Sequence, residues 1–355
     1  MRNILTLCVL YFFFTLQLVI STQMSMRTIK TILPGIEQAE GVGATVRRSI
    51  GNMQMRNFSP FLLFDHFSSS GVGGFPEHPH LGQETITLML KGAFAHEDFT
   101  GSRGVLRSGD LQFMTAGRGT VHSEMPVIHK DGSKNVGLQL WVDLPAKLKE
   151  VEPRYRDLRE WEVPEYTEQD GKLKVRVISG ESYGVKLDAE LAYTPVKYYH
   201  YIMKPGSHFK QLVPSDYNFF LYVLEGDNLV LQNKTAVSQY DNVFFNANGD
   251  TIEGVYPATE SKDLEFVLIG GQILDQKIVQ HGPFVANSAE RINQAFADYR
   301  MARNGFSRLR SWKTLISDGV TDEMIDNELG GSLEAREKSR QEFLARKSEL
   351  VKDEL

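Results

Sequence analysis

Four side chains have the types and spacing of a metal site. His78 and His80 flank a proline in FPEHPHLGQET, and His122 and Glu124 recur at the same i, i+2 spacing in GTVHSEMP. On a strand, residues two apart share a face, so each pair presents two donors to one side. Neighbouring inward-facing strands would bring the pairs together as a His3Glu set. Imidazole suits iron, nickel, copper and zinc, and the carboxylate adds an oxygen donor. An octahedral ion held by four side chains keeps about two positions for water, O2 or a substrate. A closed structural zinc site more often uses cysteine, and the sole cysteine is Cys8, in the N-terminal apolar run. Either pair alone is weak evidence, because both spacings also occur in ordinary half-exposed strands.

The elements that must position these residues read as strands. From Thr28 to about Leu144 the chain runs in short β-rich segments broken by Gly, Pro, Asn and Asp, among them PFLLFDHF, ETITLMLKG, DLQFMTAG and GLQLWVDL. A charged stretch, EVEPRYRDLREWEVPEY, reads as a linker with an irregular covering segment. Strand texture then resumes with KLKVRVISG, VKYYHYIMKPGSHF, NFFLYVLEGDNLVL and DLEFVLIGG. The halves echo each other, TLMLKG beside LYVLEG and GDLQFM beside YDNVFF, which predicts an all-β chain built from a duplicated barrel. After HGPFVANSAE the period becomes helical. Asn287 and Glu290 form a capping-box pattern, and Ile292, Ala295, Phe296 and Tyr299 make one face of a helix lying across a barrel. From Ser332 a polar helix, with Glu334 and Lys338 at i, i+4, reads as an exposed extension.

The two ends predict a compartment. Arg2 precedes an apolar run from Ile4 to Ile20, and Val19 and Ser21 are small residues at a cleavage point, the pattern of a cleaved signal peptide rather than an uncleaved anchor. The last residues, Lys352, Asp353, Glu354 and Leu355, form the tetrapeptide read by the endoplasmic reticulum retention receptor. Together they predict residence in the endoplasmic reticulum lumen, where a mature chain without cysteine forms no disulfide. Two sequons, at Asn57 and Asn233, fit that compartment. Asn233 is the better glycosylation candidate because Pro60 follows the first. A net charge of −6 without a basic block argues against nucleic acid as a partner.

The run PFLLFDHF…GGFPEHPHLGQETIT…AHEDFTGSRG…GDLQFMTAGRGTVHSEMP…GLQLWVDLP resembles the N-terminal half of the pirin family, within the cupin superfamily. The likeness continues through VRRSIGN upstream, and through VEPRYRDL, VISGE, HGPFVANSAERINQAFADYRMARNGF and SWKTLI downstream. It covers roughly residues 28–317, almost all of the chain outside its leader and tail. The resemblance implies a bicupin of two antiparallel barrels: a signal at 1–21, an N-terminal metal-binding cupin at 28–149, a C-terminal cupin at 165–317, and a polar helical tail at 318–355. It implies one Fe(II) in the first barrel, held by His78, His80, His122 and Glu124. Glu84 stands where many cupins recruit a glutamate, but the later Glu124 takes that role in pirins. A supporting or strand-pairing role is therefore expected for Glu84, with direct ligation the lesser reading. Two departures stand out: Leu81 replaces the family's usual Arg and Gln83 its usual Phe. Loss of a guanidinium beside the metal removes five fixed donors and a charge. Either the substrate differs from the family's usual one or a structural ion pair has been dropped, and any difference in substrate is sought first at these two positions.

The remaining histidines carry less. His200 and His208 lie eight apart without a matching acid, which predicts a second barrel without metal. His96 reads as a strand-end structural residue, with pocket lining the lesser reading. His66, His129 and His281 read as structural. The resemblance implies dioxygenase chemistry of the quercetin 2,3-dioxygenase type, with O2 and a flavonol-like or enediol substrate as partners. Glu124 could also accept the substrate's hydroxyl proton. The alternative is a non-catalytic, iron-dependent redox-sensing or regulatory binding protein.

Overall fold

The computed structural model describes residues 24–353 except 188 and 190. The expected signal segment 1–21, with Cys8, Val19 and Ser21, lies outside the described residues, as do the last two residues of the terminal tetrapeptide. Strand β1 (Ile29–Pro34) comes first. It is followed by β2 (Val42–Ile50), β3 (Phe61–His80), β4 (Gln83–Lys91), β5 (Ala93–Asp98), β6 (Leu111–Thr115), β7 (Thr120–Pro126) and β8 (Asn135–Asp143). The strands β2 to β8 form an antiparallel barrel in which β4 lies between β6 and β8, and β3 between β8 and β7. Strand β3 is long because it serves two sheets. Its first part, Phe61 to Ser69, pairs with β8, and its last part, Phe75 to His80, pairs with β7. The corner falls at Gly73 and Gly74. A Cβ on Gly74 would lie 2.6 Å from Pro126 Cδ, so the chain can turn closely past β7 only without a side chain there. That turn delivers His78 opposite His122 and His80 opposite Thr120.

The second barrel repeats the scheme with β9 (Leu173–Ser179), β10 (Val196–Met203), β11 (Tyr217–Glu225), β12 (Asp241–Phe245) and β13 (Leu264–Gln272), in the order β1-β12-β11-β13-β10-β9. The sequence echoes fall on corresponding pairs: β4 with β6 in one barrel, β11 with β12 in the other. Their interiors have diverged. Tyr199, Tyr201, Phe209, Phe219 and Phe266 fill the second barrel with aromatic rings. The first carries inward polar residues on β4, Gln83, Thr85 and Thr87, while Ile86 and Leu88 point outward into a core shared with the second barrel. In that shared core Phe64 meets Phe220 and Tyr222 edge-on at 5.1 and 5.3 Å.

Each end of the chain completes the other barrel. Strand β1 pairs with β12, and the buried Arg27 donates to the carbonyls of Tyr217 (2.6 Å) and Gly249 (3.0 Å) in the second barrel. Conversely the hairpin of β14 (Val279–His281) and β15 (Phe284–Ala286) folds back on the first barrel. Leu81 N–H donates to Pro283 O (3.2 Å) and Val285 N–H to Leu81 O (3.0 Å). The helix α1 (Ala289–Met301) follows, with Ile292 and Ala295 buried beside Leu81, Phe99, Val121 and Phe306. Its cap is Ser288, which accepts from Arg291 N–H (3.2 Å), one residue after the expected Asn287; Asn287 instead donates to Lys277 O. Residues 28–34 therefore sit in the second barrel, and residues 279–317 sit on the first, across the expected boundaries.

The charged linker also contains a strand. Arg154–Leu158 pairs with β6, turning Tyr155 and Asp157 inward and Arg154 and Arg156 to solvent. Residues 318–332, expected to open a polar tail, pack Val320, Ile325 and Leu329 with Ile316 against Ala93, Val105 and Met125, through the short α2 (Asp322–Asn327). The final α3 (Leu333–Asp353) is exposed as expected, but its first turn is fastened. Arg336 donates with both Nη groups to the buried carboxylate of Asp110 (2.6 and 2.8 Å) and lies over the Trp161 ring.

Candidate metal centre

The four residues singled out by spacing come together. His78 is the cross-strand partner of His122, and Phe75 of Glu124, at the antiparallel seam between β3 and β7. The Nε2 atoms of His78 and His122 lie 2.9 Å apart, and ring centroids within the histidine triad are 4.4 to 5.0 Å apart. One ligand nitrogen from each of His78, His80 and His122 falls within 4.8 Å of the others. Glu124 Oε2 is 3.9 Å from His122 Nε2. Among the described residues this is the one such cluster.

The surroundings hold the rings. His78 Nδ1–H donates to Pro76 O (2.7 Å), which leaves its Nε2 lone pair facing the cluster. His80 meets Gln83 through Nδ1 (2.9 Å) and lies edge-on to Trp141 at 5.0 Å. Gln139 Nε2 donates to Glu124 at 3.5 Å. Gln139 and Trp141 were not singled out from sequence, although their alternation with Leu138, Leu140 and Val142 in β8 marks them as facing the cavity.

Burial sets the charge states. It lowers the pKa of all three imidazoles, reinforced at His80 and His122 by the neighbouring rings, so they remain neutral donors. Burial pushes the Glu124 carboxyl up to about 7, partly offset by His96. Three neutral imidazoles and a desolvated carboxyl facing one point satisfy one another poorly, and His122 Nδ1 has no partner. A divalent cation fits this donor set, because three imidazole nitrogens lie within 4.8 Å of one another with a carboxyl oxygen beside them.

His78, His80 and Glu124 line a cavity of about 860 Å3, together with Phe75, Phe94, Trp141, Arg48, Glu77 and Pro283. Glu84 faces the other way. It accepts from Thr115 Oγ1 (2.7 Å) and from the Tyr193 and Thr194 N–H groups (3.0 Å each), tying the inter-barrel segment to β4. Leu81 does not face the cavity either. It is 1% exposed and packs with Phe99, Val121 and Phe284, which places this departure from the family in the packing rather than in the cavity. Alternation explains it: with His80 inward, Leu81 points out to the returning hairpin.

The other histidines have structural partners. His96 bonds Asp157 (3.0 Å) and stacks on Tyr155 inside the first barrel, opposite Glu124 in register. His66 meets Tyr222 OH across the barrel interface (3.1 Å), and His129 meets Asn135. His281 lies edge-on to Phe296. In the second barrel His200 pairs with Glu265 (2.6 Å) and His208 is exposed.

Two antiparallel barrels in one chain, the first with a histidine triad beside its cavity, define a bicupin with a candidate metal site. Residues 43–142 match the family Pirin, and residues 198–305 match the Pirin C-terminal cupin domain. A pirin-like protein of Solanum lycopersicum is 45% identical over 275 residues, covering 78% of this chain and 92% of that protein. Human pirin is 42% identical over 288 residues, covering 79% and 95%. A solved structure of quercetin 2,3-dioxygenase from Acinetobacter baumannii superposes with a TM-score of 0.72 at 26% identity, covering 78% of this chain and 98% of that one. The chain belongs to the pirin family.

Proposed function

We propose that the protein is an Fe(II)-dependent dioxygenase of the quercetin 2,3-dioxygenase type, acting on a flavonol-like or enediol substrate. The observation that carries the reading is the convergence of three neutral imidazoles and one carboxyl beside a large cavity that Phe75, Phe94 and Trp141 also line. The similarity to a quercetin 2,3-dioxygenase supports it. His78, His80, His122 and Glu124 would hold the iron. Bound there, iron supplies electron transfer between substrate and O2, which no side chain provides. The protein's own part is binding and proton handling. The Trp141 and Phe75 rings offer faces for a planar substrate. Glu124, its pKa raised to about 7 by burial, is matched to taking a hydroxyl proton near neutral pH, when not itself bound to the metal. The test loads the protein with Fe(II) under anaerobic conditions, then follows O2 uptake with quercetin, other enediols and catechols. Uptake that His122→Ala abolishes is the expected result. One bound iron without turnover of any of them would refute the enzyme and favour the redox-sensing reading.

Residence in the endoplasmic reticulum lumen is likewise a proposal, resting on the leader-like N-terminus and the terminal tetrapeptide. The exposure of α3, which leads to that tetrapeptide, supports it. Adding one residue after Leu355 should release the protein to the secretory route. Unchanged retention would refute the signal.

A further inference from the structure

Gln83 stands in an unusual hydrogen-bond position. It is fully buried, and its Nε2 lies 2.9 Å from His80 Nδ1 and 3.0 Å from the carbonyl of Pro283, while its Oε1 has no partner. A carbonyl only accepts, so the Pro283 contact fixes the nitrogen end of the amide in that place. The second N–H then points at His80 Nδ1, which must accept. A neutral imidazole accepting at Nδ1 carries its proton on Nε2, the nitrogen left for the cluster. His80 therefore rests in the tautomer that cannot ligate through Nε2.

Ligation reverses this demand. A ring bound through Nε2 carries its proton on Nδ1 and normally donates it to a carboxylate, carbonyl or water. Against the present amide, that would set N–H against N–H in a buried site. Turning the carboxamide end for end would bring Oε1 to the Nδ1–H, while the amide N–H groups would move to the buried place where Oε1 now has no partner. The turn is therefore favoured only when ligation has put the proton on Nδ1. The same turn would set Oε1 against Pro283 O, which now receives an N–H. Pro283 belongs to the returning hairpin, held to the first barrel beside the same spot by Leu81 N–H (3.2 Å), and it lines the cavity.

We propose that Gln83 is a positioning residue for His80 whose carboxamide reverses on metal binding, coupling occupancy of the centre to the seating of the 279–286 hairpin. No net protonation change is involved; a proton moves from Nε2 to Nδ1 of one ring, and a hydrogen bond moves with it. The inference rests on the metal reading above, but asks nothing of the substrate or of catalysis. It also gives the replacement of the family's Phe a physical content: a side chain that cannot hydrogen-bond would leave His80 and Pro283 uncoupled.

The experiment uses Co(II) as probe with the wild-type protein, Gln83→Glu and Gln83→Leu. Affinity is read by absorbance titration, and amide hydrogen exchange is read at Leu81 and in residues 279–286. In the wild type, metal should raise exchange in the hairpin several-fold. In Gln83→Leu the metal should bind without that change. Gln83→Glu, with an acceptor already facing Nδ1–H, should bind Co(II) about tenfold more tightly than Gln83→Leu. A merely structural role would lower the melting temperature of both variants without separating their affinities. An identical metal-induced exchange change in wild type and Gln83→Leu would overturn the proposal, as would equal affinities of the two variants. If the wild type takes up no Co(II), the ligand set itself falls, and the proposal with it.

Discussion

Metal uptake should be gated by one proton, that of Glu124. Burial removes the imidazoles from competition by keeping His78, His80 and His122 neutral. It does the opposite to Glu124, whose carboxyl titrates near 7 in the metal-free protein. At pH 5.5 such a group is ionised in about 3% of molecules, so apparent affinity should fall about 30-fold, or about 2 kcal/mol, from its high-pH limit. A carboxyl with an ordinary pKa would be about 90% ionised there and would give almost no change. The assay is a Co(II) competition titration from pH 5.5 to 8. The wild type should show about one proton released per metal below pH 7, and Glu124→Gln should bind more weakly but with a nearly flat profile. The same shift has a second sign. Between about 4.5 and 7 the folded metal-free protein binds more protons at this site than the unfolded chain, so this group's contribution to stability falls as pH rises. Metal-free stability and metal affinity should thus move in opposite directions across one window. A flat wild-type profile, or an equally steep Glu124→Gln profile, would refute the reasoning.

Three further perturbations test other parts of the molecule. Leu81→Ala should destabilise the protein by about 2–5 kcal/mol, read as a lower melting temperature. Co(II) binding at 25 °C should be unchanged, because this side chain packs against Phe284 rather than facing the cavity. His66, lowered to about 4 by burial and then by Arg47, is neutral when folded, so its contribution to stability is present above 6.5 and lost as pH falls toward 4. The stability difference between wild type and His66→Phe should shrink by up to about 3 kcal/mol over that range in denaturant titrations. Arg336→Ala removes two charged hydrogen bonds to Asp110, which keeps Arg159 and two backbone N–H groups. Trypsin should then cleave α3 faster, while the barrels melt near the wild-type temperature.

The clustering of these four side chains was legible because strand alternation is local: two i, i+2 pairs needed only to be strands to aim two donors each. The duplicated barrel was legible for a related reason, since its echoes sit on strands that pair in the same way. Other features depend on what lies across a pairing. Gln139 and Trp141 become site residues only when β8 is placed beside β3 and β4. The strand at Arg154–Leu158 was hidden because its inward residues are a tyrosine and an aspartate held by His96, which read as linker text. Leu81 drew notice because it replaces the family's usual arginine next to a candidate ligand, yet adjacent strand residues face opposite ways and its side chain packs away from the cavity. The exchange of termini could not be read at all. The pairing of β1 with β12 joins segments about two hundred residues apart, and neither carries a mark of its partner.

That exchange constrains how the molecule comes into being. During synthesis, the segment bearing all four candidate ligands emerges long before the hairpin, α1 and Phe306 that close over Leu81 and Val121. The leading strand, β1, must also wait for β12 before it has a neighbour. The first barrel gains its returning hairpin and α1 only after the second has been made, so a cut at the linker would strip each half of a segment that packs on it. Metal capture is therefore expected as a late event in the life of the nascent chain, after both ends have crossed over.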